Sequence, residues 1–369
     1  MQHLIWQIRS LAKPATAVIL GLFLSLTLAG PVQANPLIAG LPPGNPIKDP
    51  EALLRLSLPF ENDAIRDVQL DVEDINNQVR GRRWKGVKSD VSKAVKGFKR
   101  HRDDILESVT PSNQSKSESL ANAIATNLEA LEVAAEDQDT EAVYTIRAQV
   151  LSDIGTLESA MVDGFPFEVP AEYKSLPQLK GRATVEMETS KGHLIIELDG
   201  FNAPVTAGNF VDLVQRKFYN GLDFNRSEES YILQGGDPKG DAVGFIDPKT
   251  KQYRAIPLEI RTEEEVEPLY GTTLEDAGRY LEHPRLPFSS YGAIALAHSD
   301  DSNDGSSQFF FHLFESELTP AGSNMLDGRY AIFGYVTDGV DVLREIRQGD
   351  KIISAKVIKG AENFVRPKA

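Results

Sequence analysis

The period of the apolar residues changes once along this chain, and that change limits each half to a different architecture. Ile65, Val68, Val72, Ile75 and Val79 recur at intervals of three and four. So do Leu120, Ile124, Leu128, Leu131 and Ala135, and then Val143, Ile146, Val150, Ile154, Leu157 and Met161. A stripe at that spacing runs along one side of an α-helix, so each segment reads as a helix burying one face. Pro111-Ser112-Asn113 and Asp137–Asp139 separate the segments, and a bundle over about 60–163 follows. A short helix over Glu51–Leu58, closed by Pro59, is expected ahead of it. The stretch 164–180 holds three prolines and reads as a linker. Beyond it the period is two. Val185, Met187 and Thr189, then Leu194, Ile196 and Leu198, alternate with polar residues around a Lys191-Gly192 turn, the pattern of a β-hairpin. A helix over Val205–Phe218, many short strands and another helix near Asp341–Arg347 complete the pattern. The prediction is a two-domain α+β chain: a helical bundle, then a closed antiparallel β-barrel with capping helices over 181–369.

The first residues carry a different signal. Arg9 and Lys13 precede the apolar run Ala17–Gly30, and the small-residue site Val32-Gln33-Ala34 follows. A basic start, a short apolar core and such an end predict a secretory signal over 1–34, with an extended segment over 35–59. The run is shorter than the ~20 residues of a spanning helix, which argues against an uncleaved anchor. Removing 1–34 leaves 37 basic and 54 acidic side chains, a net charge of −17. So acidic a chain is expected to have no nucleic-acid partner. With no cysteine, its cores must hold without disulfides. His101, His193, His283, His298 and His312 lack metal-ligand spacing, so no metal or cofactor is expected.

Taken singly, the motifs of the second half are ordinary: a surface arginine, a turn, a core strand. Their order is specific. Phe218–Arg226 (FYNGLDFNR), Tyr231–Asp237 (YILQGGD), Gly305–Phe310 (GSSQFF) and Leu326–Gly334 (LDGRYAIFG) span over a hundred residues. Together they resemble the cyclophilin-type peptidyl-prolyl cis-trans isomerases. The resemblance implies that Arg226 is the catalytic donor, with Gln234 positioning it and the substrate. It places Tyr231, Ile232, Ala297, Gln308, Phe310, Met325, Leu326 and Tyr330 around a bound X–Pro peptide. Tyr330 stands where many members have histidine, and Asn225 replaces the histidine usual before the arginine. Met325 stands where cyclosporin-sensitive members have tryptophan, so weak cyclosporin binding is expected.

The chemistry explains these residue types. Resonance puts a barrier of roughly 18–20 kcal/mol on rotation about the X–Pro bond. Uncatalysed exchange takes on the order of 10–100 s. No covalent bond breaks, so neither a nucleophile nor a proton-transfer pair is required. An apolar pocket holds the proline ring, and a fixed donor facing the prolyl nitrogen favours the twisted amide over either planar state. Arginine suits this because it stays charged and presents a rigid fork.

Between Asp237 and Gly292 lies a long acidic insertion, over about 238–291, that includes Glu259, Glu263, Glu264, Glu265, Glu267, Glu275, Asp276 and Glu282. With the helical half and the leader, it resembles the roughly 40-kDa thylakoid-lumen cyclophilins of plants and cyanobacteria. That implies proline-containing polypeptide substrates, a place in the lumen or periplasm, and a link to photosystem II subunits and their assembly or maintenance. An alternative function is an assembly chaperone or scaffold whose isomerase site is weak and masked by the helical domain. A second charge feature stands apart from the resemblance. Arg80, Arg82, Arg83, Lys85, Lys88, Lys93, Lys96, Lys99, Arg100 and Arg102 enclose only Asp90. This basic helix over 80–102 reads as a solvated face, as a contact for an anionic membrane surface, or as a face docking on the acidic insertion and restricting Arg226, and the docking is the expectation.

Overall fold

The computed structural model describes residues 46–314 and 324–366; the expected leader and residues 35–45 of the segment after it lie outside them. Asp49 caps a short helix, α1 (Pro50–Leu56), by accepting from the backbone N–H groups of Glu51 and Ala52, with Pro50 at its first position. Four longer helices follow: α2 (Asp63–Arg80), α3 (Trp84–Glu107), α4 (Gln114–Glu136) and α5 (Thr140–Met161). Asn62 and Asp139 cap α2 and α5 in the same way. Each helix packs on the next and α5 returns to α2, which makes an up-and-down bundle. The basic stretch supplies α3, whose buried face is Val87, Val91, Ala94, Phe98 and Ile105. These are spaced helically too, but the surrounding charges and glycines dilute the signal.

The second half is built on an eight-stranded antiparallel sheet of order β11-β2-β3-β10-β8-β9-β5-β4. Its strands are β2 (Arg182–Thr189), β3 (Gly192–Asp199), β4 (Arg226–Glu228), β5 (Ile232–Gly235), β8 (Ala293–Leu296), β9 (Phe309–His312), β10 (Ile332–Asp338) and β11 (Ile352–Lys359). Two-stranded pairs flank it: β1 (Gln178–Leu179) with β12 (Phe364–Val365), and β6 (Glu259–Ile260) with β7 (Leu269–Tyr270). The sheet curls without closing, so the expected closed barrel is an open half-barrel. Its edge strands β4 and β11 do not form a ladder; an isolated bridge, Asp223↔Lys351, and a few backbone bonds join their flanks. The reason is local: β4 is three residues long, and the irregular Gly221–Phe224 approach meets β11 through a few turn-like bonds such as Ile352 N–H to Leu222 O (2.9 Å).

Alternation along the strands sorts side chains between two cores. Leu194, Ile196, Leu233, Ile294, Phe309, Phe311 and Phe333 point into the curl, where they meet Phe210 and Val211 of α6 (Pro204–Gln215). Ile232, Ala293, Ala295, Phe310, Ile332 and Tyr335 point outward. This outer face is also dry, because Leu53 and Leu54 of α1 lie on it together with Leu286 and Phe288 of the insertion. The described residues therefore fall in one compact unit, although the bundle keeps a core of its own.

Polar bonds lock α1 between the two halves. Toward the sheet, Arg182 donates to Leu54 O and, at 3.0 and 3.1 Å, to Ser57 Oγ and Asp199 Oδ2. Ser57 Oγ donates to Asp199 at 2.6 Å, and Asn202 Nδ2 to Ser57 O at 3.2 Å. Toward the bundle, Arg66 of α2 donates to Arg55 O and Leu58 O, and Arg55 pairs with Glu73 at 3.0 Å. Arg66 also reaches Glu158 of α5 at 3.4 Å. Glu158 is fully buried, and loss of water pushes its pKa up to about 8.

Truncating Leu54 to alanine removes its cover of the outer sheet face. The variant should lose about 2–5 kcal/mol of stability in urea titrations of the whole chain, the range for large-to-small core changes. Glu158 generates a pH effect of defined sign. Its folded pKa lies above the unfolded value, so the folded state holds an extra proton between about pH 4.5 and about 8. Stability contributed by this group should fall as pH rises through that window, and Glu158→Gln should flatten the dependence in the same titrations.

Candidate active site

Strand register brings the candidate residues into rows on the outer face. Arg226 pairs across β4–β5 with Gln234, Gln234 across β5–β9 with Phe310, and Phe310 across β9–β8 with Ala295. The adjacent row runs Glu228, Ile232, His312. Phe310 (4% exposed) and Ile232 (7%) form a floor, and half-buried Tyr231, Ala297, Leu326 and Tyr330 stand around it. Tyr330 meets Phe310 edge-on at 5.2 Å between ring centroids, and Phe288 stacks parallel to Phe310 at 6.0 Å. The result is an apolar cluster, rimmed by aromatic edges, in strand register with an exposed guanidinium.

Each rim element has an evident support. The Gln234–Asp237 turn needs Gly236: its φ is +87°, and a Cβ there would sit 2.3 Å from Ser307 O. Ala297 N–H donates to Gln308 O at 2.9 Å. Gln308 Nε2 donates to Asp237 Oδ1 (3.1 Å) and Val243 O (2.8 Å), which ties the Gln-Phe-Phe strand to the turn and to the start of the insertion. The loop carrying Met325 and Leu326 is anchored by Asp327, whose carboxylate accepts from Phe288 N–H and Asn324 N–H, both at 2.8 Å. Packing away from water raises its pKa to about 6. Beneath the floor, burial holds His312 down at about 4, so it is neutral, with Asn324 at 3.3 Å from Nε2.

Arg226 and Gln234 face each other across the strands but take different partners. Gln234 Nε2 donates to Gln308 Oε1 at 2.7 Å. Arg226 Nε donates to Glu228 Oε1 at 2.8 Å, and its Nη2 donates to the same oxygen. Met325 is 82% exposed at the rim and covers nothing.

The expected docking of the basic helix on the acidic insertion is corrected. Among the described residues, the run's ion pairs stay within the bundle: Lys88 with Glu136, Lys93 with Asp71 and Asp90, Arg102 with Asp103. The insertion's acids are engaged locally. Glu265 and Glu282 pair with Arg279, and Glu275 pairs with Arg329. Glu259 is buried and accepts from Val205 N–H, Thr206 N–H and Thr206 Oγ at 3.0–3.2 Å, capping α6. Burial raises its pKa to about 7 despite those bonds. Masking of Arg226 by the bundle is corrected as well: the side chain is 54% exposed and its bonds go to Glu228.

Sequence reasoning did not assign Glu228, Leu53, Leu54, Phe288 or Asp327. Only Glu228 carried a usable signal, standing two residues from Arg226 in a segment of period two.

Both halves of the chain are similar to known families. Residues 184–362 match the family model for cyclophilin type peptidyl-prolyl cis-trans isomerases, and residues 49–162 match a model for the PsbQ-like domain of CYP38-like isomerases. A putative thylakoid lumen peptidyl-prolyl cis-trans isomerase of Synechocystis is 53% identical over 93% of this chain and 92% of its own length. The chloroplastic isomerase CYP38 of Arabidopsis thaliana is 44% identical over 90% of this chain and 80% of its own length. CYP37 of the same plant is 32% identical over 86% and 71%.

Because Met325 projects from the rim with no N–H to offer, cyclosporin should bind weakly, and Met325→Trp should tighten it by about tenfold, as one good hydrogen bond and its contact area allow. Calorimetric titration of both proteins measures this; equal affinities would show that the rim position does not set the response.

Proposed function

Since the chain belongs to the cyclophilin-type peptidyl-prolyl cis-trans isomerases, we propose that Arg226 is the donor that drives its isomerisation of X–Pro bonds. The reading rests on one observation: the register sets Arg226, Gln234 and Phe310 in a single row, so a guanidinium stands beside an apolar floor. A proline ring seated on Phe310 and Ile232, against Leu326 and Tyr330, holds one side of the amide fixed. Ala297 and Gln308 sit at the edge where the residue before proline lies extended. A donor aimed at the prolyl nitrogen takes up its lone pair as resonance is lost, which stabilises the twisted state over both planar ones. Gln234, bonded to Gln308, and Gln308, bonded in turn to Asp237, keep the row in register. His312 is neutral beneath the floor and is not needed for proton transfer, because no proton moves.

The substrates in this reading are proline-containing polypeptides of the thylakoid lumen, reached through an N-terminal export signal. The similarity to lumenal and chloroplastic isomerases supports that place. The PsbQ-like match of the helical half supports a role in assembly or maintenance of photosystem II. An added helical domain that leaves Arg226 open is consistent with an isomerase delivered to a particular site rather than one held silent.

Arg226→Ala should lower the rate of proline isomerisation by about 10²-fold, the usual effect of losing a transition-state donor. A protease-coupled peptide assay measures it, with circular dichroism to establish an unchanged fold. Near-wild-type turnover would remove Arg226 from the mechanism.

A further inference from the structure

The pocket side of β4 carries a second charge. Arg226 and Glu228 are two residues apart on one strand and so share a face, opposite Gln234 and Ile232 of β5. The intervening Ser227 and the following Glu229 lie instead along a separate surface hollow with Arg344 and Arg347. Glu228 is thus the acid of this segment that stands on the substrate side. Its Oε1 accepts from both Nε and Nη2 of Arg226. The cross-strand neighbour that the family pattern assigns to the arginine, Gln234, is turned to Gln308. The pair is half in water, with side-chain exposures of 54% and 44%.

We propose that Glu228 is a specificity-determining residue: it pairs with Arg226 and yields it to substrates carrying a lysine or arginine beside the proline. The inference rests on the reading of Arg226 as the donor. A guanidinium whose Nε and Nη2 are both engaged by one carboxylate oxygen has less to offer the prolyl nitrogen. A neutral peptide must break that pair without replacement. A peptide with a cation next to its proline supplies Glu228 with a new partner and frees Arg226, whereas an acidic neighbour is repelled by Glu228. The pair is exposed, so water and salt weaken it, and the discrimination is modest.

The test compares the chain from residue 35, its Glu228→Gln variant and its Arg226→Ala variant on three peptides that differ only in the residue after proline: lysine, a neutral residue or glutamate. Wild type should turn over the lysine peptide about two- to fivefold faster than the neutral one. Glu228→Gln should raise the neutral rate to the lysine level, erase the preference and remove any gain from added salt. If Glu228→Gln leaves the neutral rate and the lysine preference unchanged while Arg226→Ala is inactive, the proposal is overturned and the donor reading stands. If Arg226→Ala matches wild type, the donor reading falls and takes the proposal with it. A surface glutamine is not expected to unfold the chain, and measuring peptide binding by the same three proteins separates lost affinity from lost turnover.

Discussion

Burial of Leu53 and Leu54 on the outer face of the sheet is the contact on which the rest of this structure depends. A curled sheet packs its concave side with its own helix, and its convex side must be covered or wet. Here the convex side carries the apolar floor of the pocket at one end and α1 at the other, in one continuous cluster. Each leucine removed from water contributes on the order of 2 kcal/mol. The Ser57–Asp199–Arg182 triad fixes where the helix lies. Arg55 and Arg66 pass the constraint on to the bundle. The two halves therefore share a wall as well as a chain.

The acidic surplus is spent partly inside. Glu259 lies at the N-terminus of α6, where three donors and the helix dipole favour a negative charge, yet its burial is nearly complete and wins by raising its pKa. Glu158 follows the same logic beside Arg66, and Asp327 beneath the pocket loop. Three carboxyl groups whose folded forms prefer a proton give this protein a bias toward mildly acidic conditions, the same direction in which its net negative charge and self-repulsion shrink. His312 opposes that bias once pH falls below its unfolded range, because the folded state keeps it neutral.

Much of this was legible in the amino-acid order, because local periodicity survives folding. The helical stripes, the switch to period two and the four ordered motifs depend on short-range spacing, and the pocket floor follows from alternation along β5 and β9. Closure of the sheet was not legible, since it turns on whether two edges distant in sequence meet in register. The acids of the insertion misled for a related reason. Opposite charge along a sequence predicts attraction, but Arg279 and Arg329 were nearer partners than the basic helix. Leu53 and Leu54 sit in a seven-residue helix whose pattern reveals a buried face and nothing of what buries it. Glu228 was visible as a residue, but its hold on Arg226 depends on side-chain direction.

The clamp on α1 also orders assembly in time. Its bonds join residues 128 and 142 positions apart at Leu54–Arg182 and Ser57–Asp199, and 242 apart at Ile47–Ser289. The bundle helices touch mainly their sequence neighbours, so they can form while the remainder of the polypeptide is still being made. α1 emerges before all of them, yet the surface that receives it is complete only when Tyr335 has arrived. The first helix among the described residues is thus among the last to find its seat, and until then two leucines wait in the open on a nearly finished molecule.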